Sequence, residues 1–475
     1  MMLDARSETF GLAARSRGAG SALRLLLSSR CTAETESRNA EGVARSALVL
    51  DAGDRCGTHD VGCLNRPISR VADCLDLAGT VQSRGRVSMR DRVRRRVHDC
   101  DVQRFVEDAF GEELHFKRVL SLSRATTGVI HAAALGVNAI GRALALSQGT
   151  HAKHGIKQVD RLLSNIAVEP AALFGAWVPF LLADRTEARI ALDWTHFAHD
   201  GHSTLAAYLI SSHGRATPLV WRTFPDAELS DGGRTDAEDL VLLRLREVTP
   251  EGVKIVLLAD RGFGDAGLYQ MLAKWGWDYV VRFRKDIYVT SAAGETKHAE
   301  AWLSPKGHSK ALRGAHVTAD NVLVGAVVTV HAPGMKEPWC LATSLKHESA
   351  RDIVNLYARR FTIEETFRDQ KDARFGLGMR HTRVKSVLRR DRLFFLAALA
   401  QALLTLLGAA GERCGLDRML KPNTSKKRTM SLFKQGSYWF EAIPNMPDQR
   451  LKTLMKAFGE VIREHQAVRD ALGIL

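Results

Sequence analysis

SARDIVNLYARRFTIEETFRDQK, Ser349 to Lys371, is the stretch on which the fold turns. Ser349 and Asp352 stand in capping-box spacing, which marks a helix start. No Gly or Pro stands between Ser349 and Lys371, so the pattern predicts one continuous helix. At about 100° per residue, Tyr357, Arg360, Glu364 and Lys371 fall within an arc of roughly 60°. An apolar stripe of Leu356, Ile363 and Phe367 runs beside them. One edge of such a helix packs while the neighbouring edge shows a carboxylate flanked by cations. A surface helix with ordinary charge pairs fits the same angles equally well.

Two upstream segments separate these readings. VKIVLLA, residues 253–259, is β-branched and apolar apart from Lys254, as a strand buried on both faces should be. It ends at Asp260, followed by Arg261-Gly262-Phe263-Gly264, so a carboxylate sits at the strand's C-terminal tip. ARIALDWTHF, residues 188–197, alternates apolar with small or polar positions and carries Asp193 inside a second strand. Three carboxylates on two strands and a helix can converge on hard divalent cations. Mg²⁺ keeps several waters and needs only a few carboxylates plus substrate phosphate oxygens. Two such ions roughly 3.5–4 Å apart serve phosphoryl transfer by stabilising both the attacking and the leaving oxygen.

The spacing Tyr357-x2-Arg360-x3-Glu364-x6-Lys371 resembles the Y-(2)-R-(3)-E-(6)-K signature of a large group of bacterial insertion-sequence transposases. Asp193 within LDWT and Asp260 within ADRGF look like that group's first and second acidic residues. The resemblance covers roughly residues 100–385. It implies a DDE triad on an RNase H-like α/β core, with Asp193, Asp260 and Glu364 catalytic and metal-binding. Mg²⁺ is the implied cofactor, with Mn²⁺ able to substitute. Tyr357, Arg360 and Lys371, joined by Arg368, would hold a 5′ phosphate through charge-assisted hydrogen bonds. The implied activity is cut-and-paste transposition through DNA hairpins. Its partners would be double-stranded DNA, both inverted-repeat ends and target, and a second protomer at the paired end.

The chain has 475 residues and a formal net charge of +15, with a pI near 9.7. That length implies two to four domains, and the charge suits a polyanionic partner, although ribosomal and membrane-surface proteins share it. Seven cysteines form no CxxC pair, and Cys56, Cys63 and Cys74 lack zinc-site spacing. Reduced thiols are expected, in keeping with a bacterial cytoplasmic, nucleoid-associated protein.

Residues 1–88 form an Arg-, Ser-, Ala- and Gly-rich extension with poor apolar periodicity. Arg24 interrupts its signal-peptide candidate, residues 22–27, which is too short, and Asp and Glu recur through the segment against the alternative of a transit peptide. Met89 looks like a better beginning, and the preceding stretch is expected to be dispensable. Residues 89–185 turn helical and are expected to form a DNA-binding domain. Lys153, Lys157 and Arg161 would touch phosphates there, giving salt-dependent affinity; a solvated basic face is the alternative.

Residues 186–385 would be the catalytic domain. Ala206–Ile210 and Thr217–Trp221 read as antiparallel strands joined at Gly214, and Thr235–Val248 as a helix with Leu240, Leu243 and Val248 apolar. His196, His199 and His202 suit a hairpin with scattered histidines better than a zinc site. A β-rich insertion is expected over about 286–346. Pro338–Ser344 matches the family's W-x-L-x-T-S stretch, where the tryptophan stacks on a flipped base, a role implied here for Trp339. A core tryptophan at a sheet edge is the alternative.

Arg374, Arg380, His381, Arg383, Lys385, Arg389 and Arg390 are expected to follow a phosphate backbone out of the site, or to form a solvated face. Residues 393–411 have transmembrane length. Gln401, Thr405 and the many Gly and Ala residues favour a buried helix of a C-terminal helical domain, 386–475, and no membrane partner. A final helix from Asp448 to Leu472 would serve dimerisation. A stand-alone nuclease on the same core, or an inactive DNA-binding descendant of a transposase, is the competing function.

Overall fold

The computed structural model describes residue 97 and residues 99–373 and 376–473. The extension over 1–88, Met89 and Arg374 lie outside the described residues. The helical stretch comprises α1 (Asp99–Phe110), α2 (Phe116–Ala132), α3 (Val137–Gln148), α4 (Ala152–Leu163) and α5 (Pro170–Leu182). The backbones of α3 and α4 touch where two glycines meet. A Cβ on Gly155 would stand 2.1 Å from the Gly141 carbonyl oxygen, so only glycine permits this crossing. The crossing buries Val159, Leu162 and Leu163 of α4 and leaves Lys153, Lys157 and Arg161 exposed on its other face.

The strands β1 (Glu187–Phe197), β2 (His202–Ile210) and β3 (Ala216–Pro225) form an antiparallel meander. Gly201 (φ 63°) and Gly214 (φ 82°) take left-handed conformations in its two turns. Then come α6 (Gly233–Val248), β4 (Lys254–Ala259), α7 (Ala266–Trp275) and β5 (Asp278–Phe283), with β4 pairing in parallel with β1 on one side and β5 on the other. β2 is buried at every position, which means that both faces of the sheet are covered there. α6 packs through Val241, Leu242, Leu245 and Val248, whereas Leu243, expected on its apolar face, is exposed.

The insertion supplies β6 (Tyr288–Thr290), β7 (Thr296–His298), β8 (Lys310–Arg313), β9 (His316–Val317), β10 (Val322–Leu323), β11 (Ala326–Val330) and β12 (Trp339–Thr343). Its strands divide between two sheets. Among the described residues a four-stranded sheet runs β10-β9-β6-β7, while β12, β11 and β8 extend the main sheet to the order β3-β2-β1-β4-β5-β12-β11-β8. This mixed sheet with flanking helices is the RNase H-like α/β architecture that the sequence predicts.

Beyond it come α8 (Ala350–Ala358), α9 (Thr362–Lys371), α10 (Val387–Arg413), α11 (Leu432–Ala442), α12 (Asp448–Arg463) and α13 (His465–Gly473). α10 is the transmembrane-length stretch, and 94% of its most apolar window is buried inside the protein. Near its N-terminus stand Arg390-Asp391-Arg392, all buried. Arg390 pairs with Asp200 and lies 4.1 Å from the Phe197 ring centroid. Asp391 accepts from the Thr223 amide and hydroxyl, and Arg392 donates to the carbonyls of Leu163 and Val168 and to Glu169. Arg390 therefore does not belong to a solvated basic run: desolvated charges at this depth need internal partners. The expected final helix is also two, broken at Glu464, whose carboxylate pairs with Arg413.

Candidate active site

Asp193 is a residue of β1, and Asp260 comes directly after the last residue of β4. The parallel register pairs Leu192 with Ala259, so Asp193 and Asp260 come next on adjacent strands at one end of the sheet. The two aspartates, far apart in sequence, are neighbours because the parallel pairing of β1 with β4 ends at Leu192 and Ala259, one residue before each of them.

The helix predicted over 349–371 is interrupted. Ser349 caps α8 by accepting from the Asp352 amide, as expected. A 3₁₀ turn at Arg359–Phe361 then separates α8 from α9. Tyr357 and Arg360 are turned inward and buried, whereas the sequence pattern places them beside the packed edge. The interruption also brings Phe361 onto the Trp339 ring, stacked at 5.7 Å between centroids.

α9 is fixed by a buried polar face. The Thr366 hydroxyl accepts from the Ala216 amide at 2.8 Å, and Gln370 accepts from the Tyr208 hydroxyl at 2.9 Å. Asp369 pairs with Arg215 and with Lys434. These bonds tie α9 to β2 and β3 and present Glu364 toward Asp193 of β1.

The candidate residues meet through short contacts. Arg360 donates Nη1–H to Asp193 Oδ2 and Nη2–H to Glu364 Oε1, both at 2.9 Å. The Tyr357 hydroxyl donates to Asp260 Oδ1 at 3.1 Å, and Lys371 Nζ donates to Thr195 Oγ1 at 2.8 Å. Side-chain exposure rises from Asp193 (22%) through Asp260 (33%) to Glu364 (51%), so the carboxylates open outward from the sheet. Trp339 is half-buried at the rim, edge-on to Tyr357 at 5.1 Å. Arg368 pairs instead with Glu365. Lys153, Lys157 and Arg161 stand on α4, where Lys157 and Arg161 line a groove of about 370 Å³ with His154 and Ser121.

Two further arginines border the site. Arg282 of β5 has Nη1 3.8 Å from Asp260 Oδ1, and it shares Glu337 with Arg261 at 2.9 and 3.1 Å. Sequence reasoning passes over both, although Arg261 directly follows Asp260.

Burial raises the Asp193 pKa, and the charges of Asp260 and Glu364 add to that rise; Arg360 and the Trp194 amide oppose it. Burial works against the Arg360 charge, yet Tyr357 and the three carboxylates together raise its pKa. Burial, with Arg380 nearby, lowers that of Lys371. The result is a site in which three carboxylates face two guanidiniums, Arg360 against Asp193 and Glu364 and Arg282 against Asp260.

An all-oxygen donor set of three carboxylates is the chemistry that hard divalent cations take. Asp193 and Glu364 already converge on a single cationic group, so the donors fit such an ion. They are not closed into a ligand cage: among the described residues no three His, Cys, Asp or Glu side chains stand as a ready metal cluster. His196, by contrast with a zinc ligand, bonds Ser203.

Residues 222–403 match the family model described as a transposase DDE domain. No curated protein matches the chain.

Proposed function

We propose, for a chain that belongs to the DDE transposases through residues 222–403, that it binds transposon ends, cleaves them and joins them to target DNA in a divalent-metal-dependent reaction. The observation that carries this reading is the gathering of Asp193 and Glu364 on one guanidinium beside the Asp260–Tyr357 pair. Asp193, Asp260 and Glu364 would hold Mg²⁺, or Mn²⁺ in its place, which supplies activation of the attacking oxygen and neutralisation of the leaving 3′ oxygen.

The chain's own residues provide the remainder. Tyr357, Arg360 and Lys371 line the same edge and would hold a 5′ phosphate, with Arg368 at the outer end. Trp339, stacked on Phe361 at the rim, offers a face for an unstacked base in a hairpin intermediate. The exposed cations of α4 would track flanking duplex through phosphate contacts. Two protomers, each acting at one of two paired ends, complete the cut-and-paste scheme.

Glu364→Gln keeps the side chain's size and its acceptor oxygen for Arg360 but removes the charge. It should abolish strand cleavage of flanked end substrates in Mg²⁺ or Mn²⁺ while end binding, followed by gel shift, stays within about twofold of wild type. Retained cleavage would contradict the assignment. Nicking without strand joining would favour a simple nuclease on the same core.

A further inference from the structure

The contacts of Arg360 create a conflict. Its guanidinium is almost fully buried and bonds Asp193 through one terminal nitrogen and Glu364 through the other, both at 2.9 Å. Its third donor, Nε, is buried without a hydrogen-bond partner. An arginine fork that spans two carboxylates uses the oxygens a divalent cation needs, and two cations cannot share them at that separation without strong repulsion. The same fork cannot grip a DNA phosphate while it holds both carboxylates.

We propose that Arg360 is the internal counter-ion of the acidic site, that it competes with a divalent cation for Asp193 and Glu364, and that capture of its guanidinium by a DNA phosphate hands those carboxylates over. The inference rests on the triad being a metal site. It adds a thermodynamic consequence: phosphate binding and metal binding assist one another through one side chain, and the assistance is reciprocal. Asp193 and Glu364 are thereby kept paired within the protein until a phosphodiester is in place, which ties loading of the reactive centre to the presence of DNA. The unfilled Nε supplies the third donor with which a phosphate would hold the departing fork.

The test uses the full chain, with Mn²⁺ as the probe and the residual free-ion signal in electron paramagnetic resonance as the readout. Without DNA, Arg360→Gln should bind Mn²⁺ roughly tenfold more tightly than wild type, because a competing charge is gone. A short 5′-phosphorylated duplex, with its own Mn²⁺ binding subtracted, should tighten binding to wild type and leave Arg360→Gln nearly unchanged. Arg360→Lys keeps the charge but reaches a single carboxylate, so it should fall between the two; it carries the test if the glutamine variant does not fold. Asp193→Asn reports whether the ion sits at the triad. If wild type and Arg360→Gln bind equally, and Asp193→Asn still weakens both, the exchange is wrong and the metal site stands. If binding is indifferent to Asp193 in every variant, the exchange and the metal site fall together.

Discussion

Asp391 offers a stability prediction whose size can be worked out. Its carboxylate lies at the start of α10, 6% exposed, and accepts from the Thr223 amide at 3.0 Å and the Thr223 hydroxyl at 2.6 Å. Burial pushes its pKa up from 3.8 to about 7; the Thr223 bonds and Arg222 oppose the rise and Glu169 adds to it. Between these values the folded chain holds a proton that the unfolded chain has lost, so stability must fall as pH rises through that window. The gap corresponds to about 4 kcal/mol, an upper bound because buried sites respond as if more polar than a dry interior. Asp391→Asn keeps an oxygen for both Thr223 donors and cannot ionise. Urea unfolding at a series of pH values should therefore show the variant gaining on wild type from pH 4 to pH 8 by about 2–4 kcal/mol. Buried His213, whose pKa is lowered to about 4, works in the opposite direction and cancels in the difference. A wild-type-minus-variant difference that stays flat with pH would refute the reasoning.

Two predictions concern DNA. Trp339→Ala removes the ring stacked on Phe361, so it should slow hairpin formation or strand transfer, by the loss of about 1–3 kcal/mol of base stacking, more than it weakens end binding; parallel gel-shift and cleavage time courses decide, and equal losses in both count against it. The double substitution Lys157→Ala with Arg161→Ala should weaken binding to any duplex and flatten the slope of log affinity against log salt by about 2, one phosphate contact per side chain. An unchanged slope would return both residues to a solvated face.

The parts of this molecule written locally are legible in its sequence. Asp260 at the tip of a buried strand, the Ser349 cap and the turn at Gly214 each depend on a few adjacent residues. The break between α8 and α9 is not legible, because Arg359–Phe361 contains no helix breaker and the turn is imposed by what Arg360 and Phe361 find in three dimensions. Arg390 shows the same limit. In sequence it is one more cation in a basic run, while in the fold it is enclosed by Asp200, His202 and the Phe197 ring. The joining of β8, β11 and β12 to the main sheet is hidden too, since strand pairing across that distance leaves no periodic trace.

The order of contacts along α8 and α9 explains why the site needs the interruption. Asp193 and Thr195 lie two residues apart on β1 and therefore share a face of the sheet. Glu364 meets Asp193 through Arg360, and Lys371 meets Thr195, so α9 runs along that face of β1 in the strand's own direction. Asp260 lies across, directly past the end of β4, and is reached from Tyr357, the last buried side chain of α8. A helix continuous from Ser349 would have to serve both strands with one axis; the 3₁₀ turn gives each strand its own helix segment and puts Arg360 at the junction. Beyond Lys371 the exposed cations Arg380, Arg383 and Lys385 continue the positive edge, whereas Arg389 and Arg390 are committed to Asp160 and Asp200.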